Sequence, residues 1–226
     1  AISVPIGEDS CAMIRQLLLR YGGENPDHPM TGVLKAALGP QTAGDLARAL
    51  VAGGLPALEV TLRTPVALEA IREMAKVQGG VVGAGTLLTP EDVRAAKEAG
   101  AQFGVSPGAT DRLLAAAEEA ELPFLPGAAT ATEAMRLLER GYTAQKFFPA
   151  EASGGAPALK SFASPLPQIR FCPTGGVSLA NARDYLGLPN TICVGGSWVA
   201  PQSMIEAGDW AGIERLAREA AALGGT

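Results

Sequence analysis

The stretch TAQKFFPAE, residues 143–151, sets a lysine, Lys146, inside an apolar run. Burying an unpaired ammonium is costly, so such a lysine either snorkels its amine out to water or sheds the proton and becomes a nucleophile. Phe147, Phe148 and Pro149 follow it, residues that would exclude water and end a strand, leaving a desolvated, nucleophilic amine. Lys35 is also flanked by apolar residues, whereas Lys76, Lys97 and Lys160 lie in helical or loop surroundings. Glu59 poses the same question in LPALEVTLR, where a carboxyl inside an apolar strand should be protonated or paired. Arg63, four residues on, is one structural partner; left free, its guanidinium would grip a carboxylate by two parallel bonds. A carboxyl of raised pKa is what general acid–base catalysis needs.

Two glycine pairs add an anion-binding possibility. PTGGV (173–177) and CVGGSW (193–198) each follow an apolar run, and glycine lets backbone N–H groups approach phosphate oxygens. Paired glycines also make ordinary tight turns, so the weight comes from their position. Gly104-Val105-Ser106-Pro107-Gly108 matches the G-x-S-x-G of serine hydrolases, but Pro107 lacks the N–H that an oxyanion hole needs and the chain's single histidine, His28, lies in an early loop. Pro107 reads instead as a pocket wall.

These residues need elements to hold them. From about residue 42 helix-like segments alternate with the apolar runs LPALEV (55–60), GVVGAG (80–85), AQFGVS (101–106), LPFLPG (122–127), TAQKFF (143–148), QIRFCP (168–173) and TICVGG (191–196), a pattern of βα units and a parallel sheet. Helix starts are expected at Thr64-Pro65, Thr89, Thr110, Thr130 and Ser178, each offering a hydroxyl cap. MTGVLKAAL (30–38) supplies a first strand, and residues 8–20 an amphipathic helix across the base. Without any G-x-G-x-x-G or P-loop, the pattern predicts a (β/α)8 TIM barrel with an N-terminal helix, a single domain over residues 1–226. In such barrels chemistry happens at the C-terminal strand ends, where Glu59, Thr61, Arg63, Thr86, Ser106, Pro107, Lys146, Thr174 and both glycine pairs fall.

Composition narrows the class. Apolar residues are 47% and charged residues 18% of 226, enough for a large core, and the net charge of -5 without a basic cluster speaks against nucleic acid or an anionic membrane as partner. No apolar run approaches the ~20 residues of a membrane span, and AISVPIGEDS lacks the order of a signal peptide, so a cytoplasmic protein is expected. Cys11, Cys172 and Cys193 are spaced as reduced, buried thiols, and one histidine cannot build a multi-histidine metal centre.

The stretches AGGLPALEVTLRTPVALEAI, VGAGTLLTPEDV, AGAQFGVSPG, KFFPAEASGG, RFCPTGGVSLANARDYL and VGGSWVAP resemble the class I 2-keto-3-deoxy-6-phosphogluconate (KDPG) aldolases, which include 4-hydroxy-2-oxoglutarate (KHG) aldolases. The resemblance runs from about residue 45 to the C-terminus. It implies a homotrimeric barrel of the Entner–Doudoroff pathway, a lyase that cleaves KDPG to pyruvate and D-glyceraldehyde 3-phosphate without metal or other cofactor. By resemblance Lys146 is the Schiff-base lysine and Glu59 the proton carrier; Arg63 and Thr86 hold the pyruvyl carboxylate; Thr174, Pro107 and Phe148 line the keto-acid pocket; Gly175, Gly176, Gly196 and Ser197 receive phosphate. The segment GENPDHPMTGVLKAALGPQTAGD departs from the family's Pro-Val-x-Val first strand. The alternatives are a KHG or galactonate-epimer aldolase, an isomerase or decarboxylase with the same phosphate corner, and a non-catalytic phosphosugar-binding barrel.

Overall fold

The computed structural model describes residues 30–34 and 40–224; the expected helix at 8–20, along with Cys11, His28 and Lys35, lies outside the described residues. The expected first strand is present as β1 (Met30–Leu34). It is followed by β2 (Ala57–Thr61), β3 (Val81–Gly85), β4 (Phe103–Val105), β5 (Phe124–Leu125), β6 (Gly127–Ala128), β7 (Ala144–Phe147), β8 (Arg170–Pro173) and β9 (Val194–Gly196). All pairings are parallel, in a six-stranded sheet of order β5-β4-β3-β2-β1-β9 and a three-stranded sheet of order β6-β7-β8.

The two sheets close on each other. Isolated bridges Phe171↔Thr191 and Thr174↔Gly195 join β8 to β9, and β5 and β6 are halves of one strand interrupted at Pro126. Proline has no N–H for the ladder, so the strand changes partner there, from β4 before it to β7 after it. Its carbonyl still serves β7, accepting from Lys146 N–H at 2.8 Å. Counting β5 and β6 together gives eight strand positions around a parallel barrel.

The helices are α1 (Pro40–Ala52), α2 (Ala67–Met74), α3 (Pro90–Glu98), α4 (Asp111–Glu119), α5 (Ala131–Glu139), α6 (Gly155–Phe162), α7 (Ala182–Leu186), α8 (Gln202–Ala207) and α9 (Trp210–Ala221). Three of the expected caps are made: Thr89 and Thr130 form capping boxes with Asp92 and Glu133, and Thr110 Oγ1 accepts from Leu113 N–H. The N–H groups of Ala129 and Thr130 hold the Glu133 carboxyl below its ordinary range. Two expected starts are corrected. α2 begins at Ala67, because Thr64-Pro65 closes a turn in which Thr64 O accepts from Ala67 N–H, and α7 begins at Ala182, after a turn in which Asn181 Oδ1 takes Ser178 N–H.

Strand alternation sorts the core into two layers. Outward side chains such as Leu58, Phe124, Phe147 and Phe171 pack against helix residues including Leu46, Leu50, Ile71 and Tyr185. Burial of each is worth ~1.5–3 kcal/mol. Inward side chains of Ala57, Val81, Phe103, Val105, Leu125, Ala144, Cys172 and Cys193 fill the barrel below its mouth. Gln145 is a buried polar exception on the outer face; its Nε2 donates to Ala134 O and Tyr142 O, tying β7 to α5 and to the turn that follows it.

Candidate active site

Lys146 and Glu59 face each other across the barrel mouth, Nζ to Oε1 at 3.4 Å, with side chains only 6% and 5% exposed. Inward parity puts both there: Glu59 is two residues above Ala57 on β2, and Lys146 two above Ala144 on β7. The alternative pairing of Glu59 with Arg63 is therefore replaced by a pairing with Lys146. Lys76, Lys97 and Lys160 are exposed, so Lys146 is the one buried lysine among the described residues.

The neighbouring strand makes room for the carboxyl. A Cβ at Gly85 would lie 2.1 Å from Glu59 Oε1, and one at Gly83 would lie 2.3 Å from the Phe103 ring. β3 thus offers bare backbone where β2 and β4 need space. On the other side the Phe148 ring covers the amine, its centroid 5.2 Å from Nζ, a cation–π contact. The expectation that Phe147 also shields the amine is corrected: its side chain points outward, into an edge-on cluster with Phe162 and Phe171. The Phe148–Pro149 peptide bond is cis.

Below and beside this pair lie further sulfur and hydroxyl groups. Cys172 pairs in register with Lys146, and its Sγ lies 3.9 Å from Thr174 Oγ1. A hydrogen bond with Cys193 holds the Cys172 thiol below its ordinary pKa, with the Lys146 charge adding to that and burial opposing it. Cys172 and Cys193 are both buried and neither is in a disulfide. Ser106, of the misleading G-x-S-x-G, is fully buried, and its Oγ has no partner among the described residues.

At the rim, Arg63 Nε donates to Thr86 Oγ1 at 3.2 Å, and the guanidinium's terminal nitrogens make no bond among the described residues. Thr86 has φ 60°, a backbone conformation that a β-branched residue rarely adopts and that marks local strain. Pro107 lies with its carbonyl against Gly127, the register partner of Lys146. Thr174 bridges to Gly195, bringing the two glycine pairs side by side. Gly175 and Gly176 have φ 97° and 83°, which favour glycine, and neither N–H donates to an acceptor among the described residues. Ser197 is exposed, while Gly196 is buried in its ladder with Trp198 folded back over it.

Sequence reasoning missed Gln145, Gly83 and Gly85. A run of small residues in GVVGAG carries no sign of which neighbour fills the space. Among the described residues no three of His, Cys, Asp and Glu converge to hold a metal ion, and no helix is long and apolar enough to cross a membrane.

A parallel barrel with a buried amine and carboxylate at the C-terminal strand ends suits lysine-dependent aldol chemistry. The particular family follows from comparison: the chain belongs to the KDPG and KHG aldolase family, whose description matches residues 30–216. A 2-dehydro-3-deoxy-phosphogluconate aldolase of Pseudomonas aeruginosa is 54% identical over 176 residues, 77% of this chain and 80% of its own. The Zymomonas mobilis ZM4 KDPG aldolase, solved with 3-phosphoglycerate, superposes with a TM-score of 0.82 at 50% identity, over 87% of this chain and 92% of its own. The Legionella pneumophila KDPG aldolase, with pyruvate captured as a covalent carbinolamine, gives 0.79 at 44% identity, over 84% and 92%.

Proposed function

We propose that this chain is a class I aldolase, a lyase that cleaves KDPG to pyruvate and D-glyceraldehyde 3-phosphate through an imine on Lys146. The buried 3.4 Å contact between Lys146 Nζ and Glu59 Oε1 carries this reading. Glu59 takes a proton from the lysine, and the freed amine adds to the substrate's C2 carbonyl. Glu59 returns that proton to the carbinolamine hydroxyl, which leaves as water, giving a protonated imine and a free carboxylate. Glu59 then accepts the C4 hydroxyl proton, the C3–C4 bond breaks with its electron pair passing into the imine as an enamine, and the aldehyde leaves. Returning the proton to C3 and adding water releases pyruvate and restores the amine. The imine is the electron sink, so this sequence of steps calls for no metal or organic cofactor.

The other roles follow from position. Arg63, steadied by Thr86 at 3.2 Å, has terminal nitrogens free for the pyruvyl carboxylate. Thr174, Pro107 and Phe148 wall the keto-acid pocket. The unpaired N–H groups of Gly175 and Gly176, with Gly196 and Ser197 beside them, receive the phosphate. The solved Zymomonas complex with a phosphorylated three-carbon acid supports a phosphate seat in this family. KHG has no phosphate to fill that seat, which favours KDPG as substrate. Residues 1–226 are read as one barrel domain, working in the cytoplasm as a homotrimer.

Borohydride reduction in the presence of pyruvate, followed by peptide mass mapping, tests the assignment, because reduction turns the imine into a stable secondary amine. A pyruvyl adduct on the Lys146 peptide is expected. An adduct on Lys35 would move the site, and no adduct on folded protein would return the reading to an isomerase or a binding protein.

A further inference from the structure

The Gly175–Gly176 turn is held from behind by residues for which the aldol chemistry has no use. Ala150 N–H donates to Thr174 O at 2.9 Å and Glu151 N–H to Gly175 O at 3.0 Å, so the segment after β7 is stitched to the turn after β8. Asn181 Nδ2 donates to Gly176 O at 3.1 Å. With these carbonyls occupied, the turn has its N–H groups left to offer. The Glu151 stem also packs beneath it, since a Cβ at Gly176 would lie 2.5 Å from Glu151 Cγ. On the opposite face, a Cβ at Gly175 would lie 3.1 Å from the Phe148 ring. The turn is clamped between that ring and the Glu151 stem.

The carboxylate end of Glu151 is anchored in turn. It accepts the phenolic O–H of Tyr185, whose side chain on α7 is fully buried in the outer core. Burial, and then the hydrogen bond to Glu151, push the Tyr185 phenol well above its ordinary pKa, so it stays a donor at all working pH values. A carboxylate free to swing beside an anion seat would repel the anion. Tied to Tyr185, it has one fixed place.

We propose that Glu151, anchored by Tyr185, is a positioning residue that holds the Gly175–Gly176 turn in shape for the substrate's phosphate; the proposal rests on reading that turn as the phosphate seat. Its action is confined to phosphorylated substrate. Pyruvate, which has no phosphate, reaches Lys146 without it.

The test compares Glu151→Ala, Glu151→Gln, Tyr185→Phe and Gly176→Ala with the parent enzyme. Three quantities are measured: KM and kcat for KDPG, and the pyruvate concentration that half-saturates borohydride trapping, with circular dichroism as a check on folding. Glu151→Ala and Tyr185→Phe are expected to raise KM for KDPG about tenfold, leaving kcat within about twofold and pyruvate trapping unchanged. Glu151→Gln keeps an oxygen acceptor for the phenol and should restore KM to near the parent value. If Gly176→Ala raises KM while Glu151→Ala does not, the brace is overturned and the phosphate seat stands. If neither changes KM, the seat itself is misplaced and the brace falls with it. Equal losses in pyruvate trapping and KDPG turnover would make Glu151 a general scaffold residue and overturn the proposal.

Discussion

Glu59 stands where protons enter and leave in the proposed cycle, within 3.4 Å of the amine that must lose one first. Glu59→Gln keeps the shape and a hydrogen-bonding oxygen but cannot carry the proton. It should lower kcat by roughly 10²–10⁴-fold, the usual contribution of a positioned acid–base group, in a coupled assay of aldehyde release. An undiminished kcat would assign the proton to another group. Both members of this pair were legible in the sequence, because a charged residue inside an apolar run is conspicuous wherever it falls. Their pairing was not. Arg63 is four residues from Glu59 and Lys146 is 87 away, and sequence proximity favours the wrong partner.

At the scale of elements, β3 contributes space. Its inward positions above Val81 are Gly83 and Gly85, and the side chains of Phe103 and Glu59 occupy the room they leave. A methyl group at Gly85 would meet Glu59 Oε1 at 2.1 Å and push the carboxyl off its line to the amine. Displacements of about 1 Å can cost roughly 10²-fold in rate, so Gly85→Ala should lower kcat by at least tenfold while circular dichroism shows the fold retained. Strand positions could be read from the apolar runs, and three helix starts from their threonine caps, because those signals are local. The break at Pro126 and the delayed starts of α2 and α7 were not read, since a neighbour's ladder or a turn's own hydrogen bonds decide them.

For the whole molecule, the proposed trimer has a simple measure. Leu88, Met135 and Leu179 are large apolar side chains 59%, 50% and 49% exposed on the single chain, surface that association could cover. Light scattering at micromolar concentration should give the mass of three 23.0 kDa chains, and a clean monomer would remove the trimer. Within one chain, the two sheets carry different halves of the proposed chemistry. Glu59 belongs to the six-stranded sheet, with Arg63 and Thr86 just beyond its strands, while Lys146 belongs to the three-stranded one, with the glycine turn just beyond it. Ladder hydrogen bonds run within each sheet, while the chain through Pro126, two isolated bridges and the contact of Lys146 with Glu59 are among the links between them. Inside, Phe103, Val105 and Leu125 of one sheet pack in one cluster with Ala144 and Cys172 of the other. That plug lies beneath the 3.4 Å contact of Lys146 with Glu59. With the proton transfer proposed across that contact, a methylene gained or lost beneath the mouth is expected to change kcat as well as stability, a split that steady-state kinetics beside thermal unfolding would read.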